Sequence, residues 1–197
     1  MAATWKHPTL GPFAFEGMGW TKVVDVPAFK ACSYDTGYSN APRSTGKHRL
    51  TFATFGESDV PSPAKVALAD RLLANQAPLV DAIATALWED FNGRGSESGM
   101  WWHGDLATAA KSWKGLKLPP PAKPADVLPG LQLGRIIVRD GFPRHPADPI
   151  IELAFHAAFE EEHGVSILTD GQSILGVGYN LDVMPYDYTP SITRRFG

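Results

Sequence analysis

The chain has 197 residues, 44% of them hydrophobic and 20% charged, with 10 Phe, 6 Trp and 5 Tyr. That is enough apolar material to bury a core, and it excludes a disordered or collagen-like chain. Acidic residues (21) barely exceed basic ones (18), for a net charge of -3; neither half of the chain is basic, which excludes the electrostatic footprint of a nucleic-acid or anionic-membrane binder.

The size predicts one domain over 1–197, with an irregular Gly/Trp/Pro-rich insertion around 92–130. Met1 to Pro8 has no apolar h-region, so no signal peptide is expected, and no run of apolar residues is long enough to span a membrane. The first sixty residues then alternate like strands. Phe13–Phe15 and Trp20–Val24 flank the short connection Gly17-Met18-Gly19, and 29–34 and Leu50–Phe55 supply two further runs around a Gly/Ser/Asn/Pro loop from Thr36 to Lys47. Cys32 lies in the run 29–34, where a half-buried, inert thiol is expected. As the single cysteine it excludes an internal disulfide, a Cys-rich zinc site and a C-x-x-C redox pair, so a reducing compartment, the cytoplasm, is expected.

Two helices follow. Ser62-Pro63 combines an N-cap hydroxyl with Pro at the first helical position, and Val66, Leu68, Leu72 and Leu73 are placed to face the core, predicting a helix over 63–75. Pro78 restarts the pattern, and Leu79, Ile83, Leu87 and Phe91 recur every four residues, predicting a second helix over 78–91 that Asn92-Gly93 closes. Asp105 is a candidate cap for a short helix through Trp113, and Leu118 to Pro124 reads as a stiff extended linker.

The last third is again strand. Leu131–Val138 and Ile150–Phe159 are separated by the Pro-rich loop Phe142–Pro149, and Val165–Thr169, Asp170-Gly171 and Gln172–Tyr179 read as a hairpin with a two-residue type I′ turn. Strands, then helices, then strands, without β-α alternation, predict an α+β fold: a mostly antiparallel sheet with two helices packed on one face.

Catalytic motifs mostly fail. Gly93 to Gly99 imitates a phosphate loop, but its third Gly is one place late and it follows a helix, not a strand. Gly176-Val177-Gly178 lies inside a strand. There is no G-x-S-x-G, P-loop, EF-hand loop or H-E-x-x-H, and no residue is assigned a catalytic role, a metal or a cofactor.

Two clusters remain as candidate binding residues. In the first, Trp101, Trp102, His103 and Asp105 either form a ligand platform in which Asp105 orients His103, or leave one Trp to plug the core while Asp105 caps the next helix. The second is Glu160-Glu161-Glu162-His163-Gly164. It reads either as a cation or carboxylate site or as a solvated strand connection in which Gly164 takes a positive φ. Within it we expect Glu162 to hold His163, with Glu160 and Glu161 free in solvent. His156 and Glu152 share a sheet face, which reads as solvent-facing.

The closing residues carry a resemblance. Phe159 to Gly164, then Val165 to Asp170, then Gly176 to Asp182 resemble an uncharacterised bacterial family, a catalogued domain of unknown function, whose members close with a Trp-Asp-x-Glu-His-Gly hairpin and a V-x-V-G-x-A-D-like ending. The opening Leu10–Phe13 strand and the Ser62-Pro63 helix start are similar in order, so the resemblance covers about two-thirds of the chain. This sequence departs by carrying Phe159-Glu160 where Trp-Asp is usual. Some related domains are assigned, from gene neighbourhood, an immunity-type role beside toxin or defence systems. The resemblance therefore implies a non-enzymatic partner-binding protein, with another protein as the expected partner and neither nucleic acid nor membrane. The alternatives are a metal- or carboxylate-dependent hydrolase using Glu162, His163 and His103, and a small-ligand binder using Trp101 and Trp102.

Overall fold

Alternating apolar residues at the N-terminus build an antiparallel meander: β1 (Thr4–His7), β2 (Gly11–Glu16), β3 (Gly19–Asp25) and β4 (Lys47–Ala53). The computed structural model describes residues 3–35, 45–141, 148–180 and 182–188. The chain leaves β4 for two helices, α1 (Pro63–Ala74) and α2 (Gln76–Phe91), and two short ones, α3 (Leu106–Ala109) and α4 (Lys111–Gly115). It returns through β5 (Leu131–Arg139), β6 (Ile150–Ala157), β7 (Glu160–Thr169) and β8 (Ile174–Tyr179). The eight strands among the described residues form one sheet in chain order. Among the described strands only β4–β5 is a parallel pair, and the long helical crossover between them supplies the connection that parallel neighbours require. The fold is therefore α+β with a mostly antiparallel sheet.

Register carries the core across the whole sheet. Trp5 pairs with Phe13, Trp20 with both Phe15 and Phe52, Phe52 with Val138, and Ile151 with both Val138 and Thr169. All of these but Thr169, with Leu153, Phe155, Ile167 and Val177, share one apolar cluster with Leu68 and Leu72 of α1 and Leu79, Ile83, Leu87 and Phe91 of α2. α1 starts as its sequence requires: Ser62 Oγ accepts from the Lys65 amide, with Pro63 at N1. Pro78 sits inside the first turn of α2, where an amide has no intrahelical acceptor to lose, so the helix begins before it, at Gln76. Val66 is only half-buried, at the margin of the α1 stripe.

Four local expectations are corrected. The run 29–34 is not a strand: Pro27–Ala31 is a 3-10 turn, because Pro27 fixes φ and withholds a ladder donor. Cys32 follows it, fully buried, and burial pushes its thiol up to about 12. The β7–β8 connection has four residues, 170–173, and not a two-residue turn. The Asp170 carboxylate accepts from the amides of Gln172 (2.9 Å) and Ser173 (2.7 Å), an Asx arrangement that competes with the type I′ geometry. Glu152 is not solvent-facing. It is buried, 3.1 Å from Arg139 Nε, and accepts from Ser166 Oγ at 2.8 Å. Finally, β1 exists although no strand is predicted before Leu10. Of the two predicted loops, residues 36–44 and 142–147 lie outside the described residues.

The 92–130 segment is packed into the molecule: Trp102, Trp113, Val127 and Leu128 all join the main core. β8 is crossed by the 182–185 segment. A Cβ on Gly176 would stand 2.3 Å from the Met184 carbonyl oxygen, so the glycine exists to admit a backbone. No helix among the described residues is long and apolar enough to cross a membrane.

Candidate functional site

The site begins with a carboxylate in the wrong company. Asp90 lies three residues after Leu87 and seven after Ile83, on the apolar stripe of α2, and is 1% exposed. A buried carboxylate must be hydrogen-bonded, and this one is saturated. Oδ2 accepts from Trp102 Nε1 and Ser98 Oγ, both at 2.6 Å, and Oδ1 lies 2.5 Å from His103 Nδ1. Its main-chain carbonyl accepts from the amides of Gly93 (2.9 Å) and Gly104 (2.8 Å), which pins both ends of the Gly-rich loop to the end of α2. Trp102 is thereby drawn fully into the core, edge-on to Phe159 at 5.2 Å and to Tyr179 at 5.5 Å. Trp101, its neighbour, stays 40% exposed.

A second carboxylate reaches the same loop from the β6–β7 corner. Glu160 opens β7 and is almost buried. Oε2 accepts from Trp101 Nε1 at 2.8 Å; Oε1 accepts from the His163 amide at 3.2 Å and lies 3.0 Å from His163 Nδ1. Burial alone would raise the Glu160 carboxyl, but the Trp101 indole N–H and the amide and ring of His163 outweigh it and hold the group below the usual carboxylate range. Gly164 makes this turn possible. Its φ is +70°, and a Cβ there would meet Asn180 Nδ2 at 2.4 Å and the Phe155 carbonyl at 2.5 Å. The His163 ring, half exposed, rests 4.9 Å from Tyr179, whose hydroxyl is pushed up by burial and by Glu160 and Glu162. Glu161 accepts from the Tyr34 hydroxyl at 2.5 Å.

The structure thus brings the two predicted clusters together through Glu160, Trp102 and Tyr179. It places Trp101, Trp102, His103 and His163 at one site and leaves Asp105 and Glu162 at its margin. Asp105 does not orient His103; its carboxylate accepts from Thr108 to cap α3, a hydrogen bond that lowers its titration. Glu162 does not hold His163. It is exposed, and Glu160, two residues earlier and nearly buried at the start of β7, takes that role. Glu160 and Glu161, expected free, are both bonded. Asp90, Tyr34 and Tyr179 were missed. For Asp90 a signal existed: an acid placed on an otherwise apolar helix face. Tyr34 had none, since its partner is 127 residues away. Among the described residues no three His, Cys, Asp or Glu side chains are arranged to hold a metal ion. A separate concavity of about 670 Å³, lined by Leu68, Arg71, Ile150, Leu175 and Tyr186 among others, contains none of the site residues.

A family model described as a domain of unknown function, DUF6985, matches residues 9–184. The chain belongs to the DUF6985 family. The match takes in every residue of the site, from Tyr34 to Tyr179, and omits β1. No curated protein and no solved structure matches the chain.

Proposed function

We propose that this DUF6985 chain is a non-enzymatic interaction protein that binds another protein through the surface formed by Trp101 and His163. One observation carries the reading: a single buried carboxylate, Glu160, fixes both of these exposed rings. An exposed indole ordinarily loses rotamer freedom on binding. One already held by a hydrogen bond and backed by Trp102 at 5.9 Å has lost it in advance, which is how aromatic anchors gain affinity. Tyr34 and Glu161 brace the corner from the other side.

The finer parts of the proposal are that the protein is bacterial and immunity-like or regulatory, works in the cytoplasm, contacts neither nucleic acid nor membrane, and forms one domain over 1–197. Mild acidity and a single buried cysteine support these. That both helices lie on one sheet face belongs here too, supported by their common core cluster.

Affinity capture from the native cell, followed by titration of the purified partner, tests the proposal. Trp101→Ala and His163→Ala should each weaken binding by about tenfold or more while the circular dichroism is unchanged. Binding that both variants leave intact refutes it.

One observation favours the hydrolase as second reading: Asp90 and His103 have the geometry of a base and its orienting carboxylate. In that case His103→Gln would abolish turnover of an ester or amide panel and Trp101→Ala would not.

A further inference from the structure

We propose a second interaction surface at the other end of the sheet: the tip made by the β2–β3 turn and the loop after β4, which accepts a protein presenting an apolar socket rimmed by basic side chains. Three large apolar residues are presented there, Phe55 (99% exposed), Met18 (83%) and Val60 (57%). They are held out by an ordered turn. The Thr54 amide donates to the Met18 carbonyl at 3.1 Å, joining the two loops, and buried Trp20 donates its indole N–H to the Asp59 carbonyl at 2.9 Å. Within the loop the Phe55 amide reaches Asp59 Oδ2 at 3.3 Å, the Asp59 amide the Gly56 carbonyl at 3.1 Å, and Thr54 Oγ1 the same carbonyl at 3.3 Å. A turn with that many internal bonds holds Phe55 out in water. Apolar side chains held out in water by an ordered turn offer anchors for a contact surface.

Charge selects the occupant. Residues 12–21 and 54–64, the two segments of the tip, contain Glu16, Glu57 and Asp59 and neither Lys nor Arg. Glu16 is matched by Arg49 at 2.8 Å, and the nearby Lys65 is buried, spent on Asp140 at 2.9 Å and on the Ala53 carbonyl at 3.1 Å. Glu57 and Asp59 are left to rim the apolar centre. That rim repels an anionic bilayer, and it would oppose itself in a two-fold contact between copies of this chain. A convex tip is also the wrong shape to enclose a small solute. A basic-rimmed socket on another protein satisfies both the apolar centre and the acidic edge.

The surface is independent of the Trp101 site. Phe52 connects by register to Val138, Ile151 and Thr169, at one end of the sheet, whereas Glu160 and Tyr179 lie at the other. One copy can therefore hold partners at both ends.

The test uses the full chain labelled at the Met methyl groups. A short amphipathic peptide of Leu and Arg should shift the Met18 methyl resonance. Phe55→Ser and Glu57→Lys should each weaken that binding by about tenfold, with Trp101→Ala unchanged. All three positions are exposed, so the variants retain the fold, and circular dichroism verifies it. Equal binding of a Leu/Glu peptide overturns the proposal. So does the absence of any Met18 shift, Phe55-dependent sedimentation with phosphatidylcholine vesicles, or a dimer that Phe55→Ser dissolves.

Discussion

Asp90 and Glu160 illustrate how much one acid can do once water is excluded. Asp90 satisfies the indole of a fully buried Trp102, a hydroxyl and an imidazole, so removing it strands the indole N–H in the core. Asp90→Ala should cost about 3 kcal/mol in urea unfolding, since a buried donor left without its charged acceptor loses its full desolvation cost. It should also change the near-ultraviolet dichroism, because Trp102 meets Trp101 edge-on within the same loop. The corner glutamates should separate sharply. Glu162→Ala lies within about 0.5 kcal/mol of the parent, as exposed substitutions do, whereas Glu160→Ala costs about 1.5 to 3 kcal/mol because it releases two donors at once. Equal costs for the pair would mean that the Glu160 clamp is absent in solution. The position of His163 was legible in the sequence but its partner was not. Strict alternation would set Glu160 and Glu162 alike on the face opposite His163; the pairing with Glu160 arises at the irregular β6–β7 corner, where the register shifts and Gly164 takes a φ of +70°.

At the scale of elements, the strands and helices arise from patterns that the chain carries locally, and their closures arise from contacts it does not. α2 is found almost whole from its four-residue spacing, and α1 from Ser62-Pro63. β1 escapes because four residues with three polar ones carry no period, and only pairing with β2 makes them a strand. The G-x-G reads from the sequence as part of a strand and lies inside β8, but its purpose appears only when the 182–185 segment is seen to cross it. Gly176→Ala should therefore destabilise by about 2 kcal/mol or more, the scale of a clash between fixed backbones, while Gly56→Ala, with open space around it, should be nearly neutral. Thermal melts of the two variants side by side decide the matter. Coincident midpoints would show that 182–185 does not lie on β8.

For the whole molecule, acid is the natural stress. His7, His48 and His156 all titrate low: burial is the main cause at each, with Asp70 partly opposing it and Lys22 adding to it at His7, and Arg135 adding to it at His156. His7 is the clearest case. It is fully buried, its Nδ1 accepts from the amides of Thr9 and Leu10, both at 3.3 Å, and a proton there would have to displace both. Above the unfolded value of about 6.5 these groups are neutral in both states and contribute no pH dependence. Below it the unfolded chain takes up protons that the folded chain refuses, so stability falls until the lower folded values are passed. Glu160 continues the trend, since its depressed carboxyl gives stability that is present above the ordinary Glu value and lost as pH falls through the folded one. Urea midpoints should thus drop steadily from pH 7 to 4, by no more than about 1.4 kcal/mol per pH unit for each histidine. His48→Leu should flatten the first part of the curve, because its Nε2 is buried without a hydrogen-bond partner among the described residues and the substitution removes a titrating group. A flat profile above pH 5 would refute this.

By itself the sequence determined the class: an α+β chain with a mostly antiparallel sheet, an amphipathic α2, a capped α1, an inert Cys32 and a sharp corner at Gly164. Each of these follows from local stereochemistry or from a periodicity within a few residues, which a single chain displays without its neighbours. Only the tertiary structure decided which acids are buried and which histidine each one holds. Asp90 with His103 and Glu160 with Trp101 are contacts between separate segments, 13 and 59 residues apart. The worth of such a carboxylate depends on exclusion of water, which is a property of packing and not of sequence.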